Sequence, residues 1–169
     1  DTTPDSEEGL AARYLRDQGI IGGRPDGKFD GSASVNRAEL AKFLLLSTKT
    51  DVEDIPSNGQ FPDVPNGQWY TKYVMKASGQ DIINGYPDGT FQPGRTVNTA
   101  EFLKMLSKSF QLPENMEYAY EDVEEGTWFG PYVGTAQKYH LFPKRSWPNL
   151  EPGKAMTRNE VAVALHKLL

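Results

Sequence analysis

The sequence lacks several features that mark familiar classes of protein. It contains no cysteine, which excludes disulfides and thiolate sites and is compatible with an exported protein. No apolar run approaches the roughly 20 residues that a helix needs to span a bilayer. Lys and Arg total 18 against 23 Asp and Glu, and the resulting net charge of −5 argues against a nucleic-acid partner. Because the chain starts at Asp1 rather than Met, we expect that a leader or further sequence has been removed.

Signatures of catalysis and of metal binding are also missing. The two histidines, His140 and His166, have no His or Cys at metal-ligand spacing, so no zinc site is expected. The sequence contains no nucleophile elbow, phosphate loop, dinucleotide fingerprint or EF-hand loop. Acidic residues are numerous enough to form a glycosidase-like pair by chance, but helix caps and turns explain the repeated ones. We therefore predict a protein that is not an enzyme and needs no cofactor or metal.

The sequence does contain one unit that occurs three times. A shift of 59 residues places the Phe-Pro-Asp-Val of 61–64 over the Tyr-Glu-Asp-Val of 120–123. A shift of 62 residues in the other direction places the Tyr-Pro-Asp-Gly of 86–89 over the Arg-Pro-Asp-Gly of 24–27. Such repetition predicts a repeat architecture. We predict one domain over 1–169, with repeats at about 1–50 (incomplete at its start), 61–110 and 120–169.

Each repeat is predicted to form a helix, a turn-rich loop and a second helix. The spacing of apolar residues predicts first helices at 5–18 (capped by Asp5), 69–78 and 128–139, and second helices at 36–47, 98–110 and 157–168. Ile82-Ile83 and Thr90-Phe91 flank the loop of the second repeat and predict a minimal hairpin. Neither helix of a repeat can bury its apolar face alone, so three units should pack around a shared axis in a mainly α fold.

Each second helix begins with the signature of a capping box, in which a cap side chain and a glutamate three residues later satisfy each other's backbone N–H groups. The pairs are Asn36 with Glu39, Asn98 with Glu101, and Thr157 with Glu160. Because three copies of a stabilising device need no further explanation, we interpret these glutamates as structural.

An arginine follows the cap in two of the three repeats. Arg37 and Arg158 lie where a cation opposes the helix dipole, at a cost of roughly 0.3–1 kcal/mol, so a use for them is expected. Free N–H groups at a helix N-terminus together with a guanidinium would suit an anion such as a carboxylate. In the other interpretation, each arginine is solvated or paired with an acid. The middle repeat has Thr99 at this position and is expected to lack the anchor.

The turns of the first two repeats carry Asp26, Gly27, Asp88 and Gly89. Their aspartates are typical turn formers and their glycines accept a positive φ, but a loop-tip carboxylate can also accept hydrogen bonds from sugar hydroxyls, and a glycine lets the backbone approach a ligand closely. Asp63 and Asp122 are predicted to serve local turns.

Several aromatic residues are candidates for stacking on a sugar. Trp69 and Trp128 open helices at matching positions and are interpreted either as core residues or as platforms for a sugar face. Tyr86, in a turn, is expected to be the more exposed platform. In the third loop, which has no Pro-Asp-Gly, Arg145 and Trp147 belong to a basic and aromatic cluster that is either a polymer contact or a diverged surface loop.

The motifs FPDV, WY, GYPDGTFQPG and VNTAE, with partial copies YEDV, WF, RPDG, VNRAE and MTRNE, resemble the S-layer homology (SLH) repeat over nearly the whole chain. The resemblance implies a mostly helical pseudo-threefold spindle with a central helical bundle. It also implies grooves between repeats that bind cell-wall polysaccharide, in many members a polymer with pyruvylated N-acetylmannosamine. In that family an arginine after the cap holds the acid of the sugar, and it maps onto Arg37 and Arg158.

From the resemblance we expect a non-covalent anchoring module on the outside of a bacterial cell, with a secondary cell-wall polysaccharide as partner and other surface-layer proteins as further partners. The alternative is a structural or protein–protein assembly module without its own glycan binding. The three grooves are expected to be unequal, with at most two that bind well. The predicted glycan-binding residues are Arg37, Arg158, Tyr86, Asp88, Gly89, Asp26, Gly27, Trp69 and Trp128.

Overall fold

The computed structural model describes residues 3–169, which are mainly α-helical. The described residues contain six helices: α1 (Glu7–Asp17), α2 (Arg37–Ser47), α3 (Thr71–Gly79), α4 (Thr99–Ser109), α5 (Gly130–Lys138) and α6 (Arg158–Leu168). They contain isolated β-bridges but no β-strand. The predicted order of helix, loop and helix in each repeat is confirmed.

The three capping boxes form as predicted at α2, α4 and α6. In α2 the Asn36 side chain accepts from the N–H of Glu39 at 2.9 Å, and the Glu39 carboxylate accepts from the N–H of Asn36 at 3.0 Å. The boxes of α4 and α6 are made in the same way. These helices therefore begin where the sequence places them.

The first helices of the repeats begin later than predicted. Ser6, not Asp5, caps α1, and its hydroxyl accepts from the N–H of Gly9 at 3.1 Å. Helices α3 and α5 begin two residues after Trp69 and Trp128. A turn precedes each of these two helices, because the first helical N–H bonds to the carbonyl three residues earlier. Both tryptophans consequently lie outside the helices.

The helices pack between repeats rather than within them. Helix α3 packs against α2, α5 against α4, and α1 against α6. Each arm of the molecule therefore combines the first helix of one repeat with the second helix of the preceding one, and α1 closes the circle on α6. This exchange buries the apolar faces that a single repeat leaves open, including Leu40, Phe43 and Leu44 of α2. The result is the predicted pseudo-threefold spindle.

A ring of three backbone hydrogen bonds joins the segments that lead into α2, α4 and α6. The N–H of Val35 donates to the carbonyl of Met156 at 2.9 Å, that of Met156 to Val97 at 2.9 Å, and that of Val97 to Val35 at 3.0 Å. All three side chains are fully buried. The ring fixes the starts of α2, α4 and α6, which we call the central helices, relative to one another.

The predicted hairpin in the second loop is wrong. The N–H of Tyr86 donates to the carbonyl of Thr90 at 2.8 Å and that of Gly89 to Tyr86 at 2.9 Å, which closes a turn without a ladder. Ile82, Ile83 and the ring of Phe91 pack instead into the core. The extended pairing in this protein occurs between repeats, at bridges such as that of Asn36 with Thr96.

Candidate functional site

Arg37 and Arg158 each bind the loop of another repeat: Arg37 that of the second repeat, and Arg158 that of the first. Both are 3% exposed. Arg37 donates from Nε to the carbonyl of Phe91 at 2.9 Å and from Nη2 to that of Asn84 at 2.5 Å. Arg158 donates in the same way to Phe29 and Gly22, both at 2.8 Å. Burial lowers the pKa of both guanidinium groups. The unfavourable place of these arginines at the helix start thus has a structural use.

The N-termini of the central helices do not offer the free N–H groups that the sequence led us to expect. The N–H of Arg37 donates to the carbonyl of Arg95 at 3.0 Å and that of Ala38 to Pro93 at 3.0 Å. The third N–H, of Glu39, is taken by the cap. In the same way, the first two N–H groups of α4 donate to carbonyls of the third loop, and those of α6 donate to carbonyls of the first loop. An anion would therefore meet side chains here rather than the helix terminus.

The expectation that the Thr99 cleft lacks a guanidinium is wrong. Arg145, from the third loop, donates from Nη1 to Oγ1 of Thr99 at 2.7 Å and to the carbonyl of Leu150. Leu150 is the counterpart of Phe91, whose carbonyl Arg37 binds. A buried guanidinium therefore bonds the equivalent carbonyl in every one of the three clefts, although in the third it comes from a loop rather than a helix.

Arg145 also pairs with the glutamate of the third capping box. Its Nε donates to Oε1 of Glu160 at 2.9 Å, and the side chains are 4% and 18% exposed. Burial by itself would raise the pKa of Glu160, but the hydrogen bond and the charge of Arg145 outweigh it and hold that pKa below its ordinary value. The pair is thus ionised at neutral pH.

A groove of about 550 Å³ opens between the second loop, α4 and the turn before α5. Arg37 and Tyr86 lie on its wall, together with Glu101 and Lys104 of α4, and Trp128 stands at its edge. Trp128 is 57% exposed, and Nζ of Lys104 lies 5.7 Å from the centroid of its ring. We call this the Trp128 groove. It brings together a cation and an open aromatic face.

The surface around Trp69 repeats this arrangement one repeat earlier. Trp69 is 51% exposed, and Nζ of Lys42 lies 5.8 Å from its ring. Lys42 and Lys104 are related by the same shift of 62 residues as the loops. The interpretation of Trp69 and Trp128 as core residues is therefore wrong, since both rings face solvent.

Tyr86 lies between arginines. The Cζ atoms of Arg37 and Arg95 are 4.6 and 4.7 Å from the centroid of its ring, so cations rather than open solvent cover much of this ring. Burial raises the pKa of its hydroxyl, an effect that the charge of Arg37 opposes. The structure places Tyr86 on the groove wall, half-buried, rather than at an exposed tip.

The turn residues adopt the conformations that their types favour. Asp26 accepts from the N–H of Lys28 at 3.0 Å, and Asp88 accepts from the N–H and the hydroxyl of Thr90 at 2.9 and 2.7 Å. Gly27 and Gly89 have φ values of +80° and +83°. The turn-forming interpretation is confirmed for all four, and they lie exposed at the loop tips.

The third cleft is built from other residues. The combined shifts place Glu7 at the position of Trp69 and Trp128, and Val163 at that of Lys104. The cavity here is smaller, about 280 Å³. Lys144 forms an ion pair with Glu8, and this hydrogen bond lowers the pKa of Glu8. The third cleft thus has Glu7 and Val163 where the other repeats pair a tryptophan with a lysine.

The prediction for Asp63 and Asp122 is wrong, because both act over a long range. Asp63 accepts from the N–H of Phe91 at 2.9 Å and of Gln92 at 2.7 Å. Asp122 accepts from Leu150 and Glu151, both at 2.7 Å. Each carboxylate fixes the strand-like end of its own loop. The recurrence of these acids 59 residues apart was the available signal, but it did not reveal the partner.

Two kinds of site are not found in the part of the chain that the structure describes. Across residues 3–169, no three His, Asp or Glu side chains gather where they could hold a metal ion. None of the helices there has the length and apolar composition needed to cross a bilayer.

Comparison with known proteins gives a consistent picture. A family model described as the S-layer homology domain matches residues 3–41 and 60–103. The cellulosome-anchoring protein of Acetivibrio thermocellus is 32% identical over 143 residues, which are 72% of this chain and 30% of that protein. The middle cell wall protein of Brevibacillus brevis is 23% identical over 167 residues, 98% of this chain and 15% of that protein.

A third relative, the S-layer protein of Bacillus licheniformis, is 28% identical over 165 residues, which are 88% of this chain and 17% of that protein. The chain therefore spans less than a third of each of these relatives.

Proposed function

The chain belongs to the S-layer homology domain family, and from this premise we propose that it anchors a larger protein to the bacterial cell surface by binding an acidic cell-wall polysaccharide. Relatives named as anchoring and S-layer proteins support surface anchoring and an extracellular location. We infer that the repeats at about 1–50, 61–110 and 120–169 act as one domain, since α1 packs on α6.

The Trp128 groove is the observation that carries this proposal. An exposed indole offers a flat face for the apolar side of a pyranose, and the ammonium of Lys104 beside it attracts a carboxylate. The net charge of −5 does not oppose this, because recognition depends on the local field in the groove. The groove thus combines the two chemistries that an acidic sugar presents.

Arg37 contributes to binding through the nitrogen that the fold leaves over. Its Nε and Nη2 hold the second loop, so Nη1 is the donor available to an acidic substituent such as a pyruvyl group. Tyr86 keeps the guanidinium in place from the groove wall. Asp88 and Gly89, at the exposed tip of the loop, contact a neighbouring sugar unit.

The surface around Trp69 binds in the same manner. Arg158 takes the role of Arg37, Lys42 that of Lys104, and the tip residues Asp26 and Gly27 that of Asp88 and Gly89. The third cleft has Glu7 and Val163 in place of the tryptophan and lysine, so it lacks the aromatic platform and the cation beside it. At most two grooves therefore bind the polymer well.

The proposed module is not catalytic. The acids that recur between repeats are engaged in the fold: the capping glutamates bond to the N–H groups of their cap residues, and Asp63 and Asp122 hold their loops. A glycosidase needs two carboxyl groups free to face the scissile bond. The repeated acids do not supply such a pair.

Co-sedimentation with purified cell wall tests the proposal. The wall is used before and after chemical removal of its accessory polymer, and binding should be lost with the polymer. Trp128→Ala combined with Lys104→Gln should weaken binding by roughly tenfold or more, since the two groups lie at the centre of the groove. Lys138→Gln, an exposed lysine on α5, is the matched control and should bind normally.

Two results would count against the proposal. Binding that persists on polymer-free wall, or that requires another protein, would indicate an assembly module instead. Full binding by the groove variant would show that the Trp128 groove is not the site.

A further inference from the structure

The third repeat contains a cavity of about 390 Å³. It lies between the third loop and the end of α5, away from the Trp128 groove. Its wall includes the aromatic rings of Tyr120 and Trp147 and the polar side chains of Gln137, His140 and Asn149. We call it the Tyr120 pocket.

The second repeat is packed differently at the equivalent place. Phe61, the counterpart of Tyr120, is 4% exposed and its ring centroid lies 5.3 Å from that of Phe91. Gly85 makes room for it, because a Cβ at that position would lie 2.5 Å from Cε1 of Phe61. In the third repeat the counterpart of Gly85 is Lys144. An aromatic ring at 120 therefore cannot pack as Phe61 does.

Tyr120 turns instead toward an exposed aromatic residue. Its ring centroid lies 5.4 Å from that of Trp147, which is 62% exposed, and 6.5 Å from that of Tyr118. The rings of Tyr120 and Trp147 form an aromatic row on the wall of the pocket, and Tyr118 packs behind Tyr120. Such rings offer broad apolar faces with polar tips, and stacking on them favours flat, partly apolar ligands.

Unpartnered polar groups surround these rings. Oε1 of Gln137 accepts from the N–H of Ala119 at 2.8 Å, which fixes the amide and leaves its NH₂ group for a ligand. Within residues 3–169, the imidazole of His140 and the side-chain amide of Asn149 make no hydrogen bond. The amide groups both donate and accept, as recognition of hydroxyl groups requires, and the imidazole adds a further polar contact.

The pocket offers no free charge. Arg145 is the one Lys, Arg, Asp or Glu on its wall, and its guanidinium is bonded to Glu160, Thr99 and the Leu150 carbonyl. An anionic ligand would find no available cation and would lie near the paired Glu160. A ligand matched to these walls is uncharged, carries several hydroxyls and has an apolar face.

We propose that the Tyr120 pocket is a second saccharide site, which binds a neutral pyranose. The sugar stacks on the row formed by Tyr120 and Trp147, and Gln137, His140 and Asn149 bond its hydroxyl groups. The site shares Phe142, Pro143 and Arg145 with the cavity of the third cleft, but it shares no lining residue with the Trp128 groove, which takes the acidic units.

The indole N–H signals of the ¹⁵N-labelled protein test this directly. The three tryptophans are Trp69, Trp128 and Trp147, so each signal is assigned from a single substitution to phenylalanine. Methyl β-glucopyranoside and the methyl glycoside of N-acetylglucosamine serve as neutral probes, with glucuronate as the acidic probe. The neutral probes should shift the Trp147 signal saturably, and glucuronate should not.

Substitutions then separate binding from folding. Trp147→Ala and Asn149→Leu should each weaken binding of the neutral probe by roughly tenfold. Because both side chains are exposed, the variants should keep the thermal unfolding temperature of the wild type. Leu10→Ala, which removes an exposed apolar side chain of α1, is the matched control and should leave the affinity for the neutral probe unchanged.

The proposal is overturned if no neutral sugar moves the Trp147 signal, or if Asn149→Leu and Trp147→Ala bind as the wild type does. These results are independent of the wall-binding test, because Trp128→Ala with Lys104→Gln leaves the Tyr120 pocket intact. If the wild-type protein binds the wall polymer but no neutral sugar, the pocket proposal alone is refuted.

Discussion

Arg145 bonds to Thr99 and supplies the guanidinium that the middle repeat lacks at the start of α4. Nη1 of Arg145 donates to Oγ1 of Thr99 at 2.7 Å, so a loop guanidinium lies beside the helix position that carries Arg37 and Arg158 in the other repeats. The bonded carbonyl is equivalent in all three clefts. The geometry of the cleft is thus maintained although the residue that maintains it has changed place.

Arg145→Ala should therefore destabilise the protein strongly. The change leaves the largely buried carboxylate of Glu160 with only the more distant Lys154, 3.7 Å away, as a cationic partner, and breaking a buried pair costs about 3 kcal/mol or more. Adding Thr99→Arg should restore a good part of this loss, because the new arginine starts from the position of Arg37. Urea unfolding measures both, with the exposed Lys28→Ala as control. A double variant no more stable than Arg145→Ala would contradict the replacement.

Arg37 and Arg158 are expected to matter for folding as well as for binding. Arg37→Ala removes two hydrogen bonds and leaves the carbonyls of Phe91 and Asn84 unpaired, at a cost of about 2–3 kcal/mol. Arg37→Lys should rescue little, since an ammonium cannot reproduce the planar fork. Thermal and urea unfolding measure this effect.

The double variant Arg37→Ala with Arg158→Ala should also lose most of its binding to isolated wall polymer. The binding assay is run at a temperature where the variant is shown by circular dichroism to be folded. Undiminished retention on the polymer would refute the assignment of these arginines to the site.

Asp63 should be sensitive to a change of a single atom. Its two carboxylate oxygens accept from the N–H groups of Phe91 and Gln92, whereas an asparagine keeps one acceptor. Asp63→Ala should lower the free energy of unfolding by about 2–3 kcal/mol, and Asp63→Asn by roughly half as much. Equal losses in urea unfolding would show that the loop is not held through both oxygens.

Stability should fall in acid through Glu160. Its folded-state pKa lies below the ordinary value of 4.5, so the pair with Arg145 contributes fully above pH 4.5 and is lost as the pH drops through the lowered folded-state pKa. Glu160→Gln should flatten the dependence of the free energy of unfolding on pH in this range. Urea unfolding between pH 3 and 6 measures the slope, and an unchanged slope in the variant would assign the acid sensitivity elsewhere.

The sequence was sufficient for the helical repeats because their signals are local. The cap residues Asn36, Asn98 and Thr157 mark helix starts by direct contact with the next turn. The predicted helices at Trp69 and Trp128 begin two residues too early. The turn that precedes α3 and α5 depends on a backbone hydrogen bond that has no sequence signature.

The long-range contacts of the site were not accessible in the same way. Thr99 indicated a missing arginine, and only the packing of the third loop shows that Arg145 fills the space. Asp63 lies 28 residues from the amide it binds, a partnership that spacing in one chain does not reveal. Lys42 and Lys104 recur at the repeat shift, but charge at a helix surface is too common to single them out.

The packing of α1 on α6 has a consequence for the order of the chain. His166 stacks 4.9 Å from Tyr14, and Nζ of Lys167 lies 2.9 Å from Glu7, so the last arm is assembled from the two ends of the described polypeptide. In the other two arms, by contrast, the linkers at 48–60 and 111–119 join the two helices of the arm to each other. A circular permutant that is opened in either linker and joined end to end should fold to the same spindle, whereas deletion of one repeat should leave two unmatched helix faces.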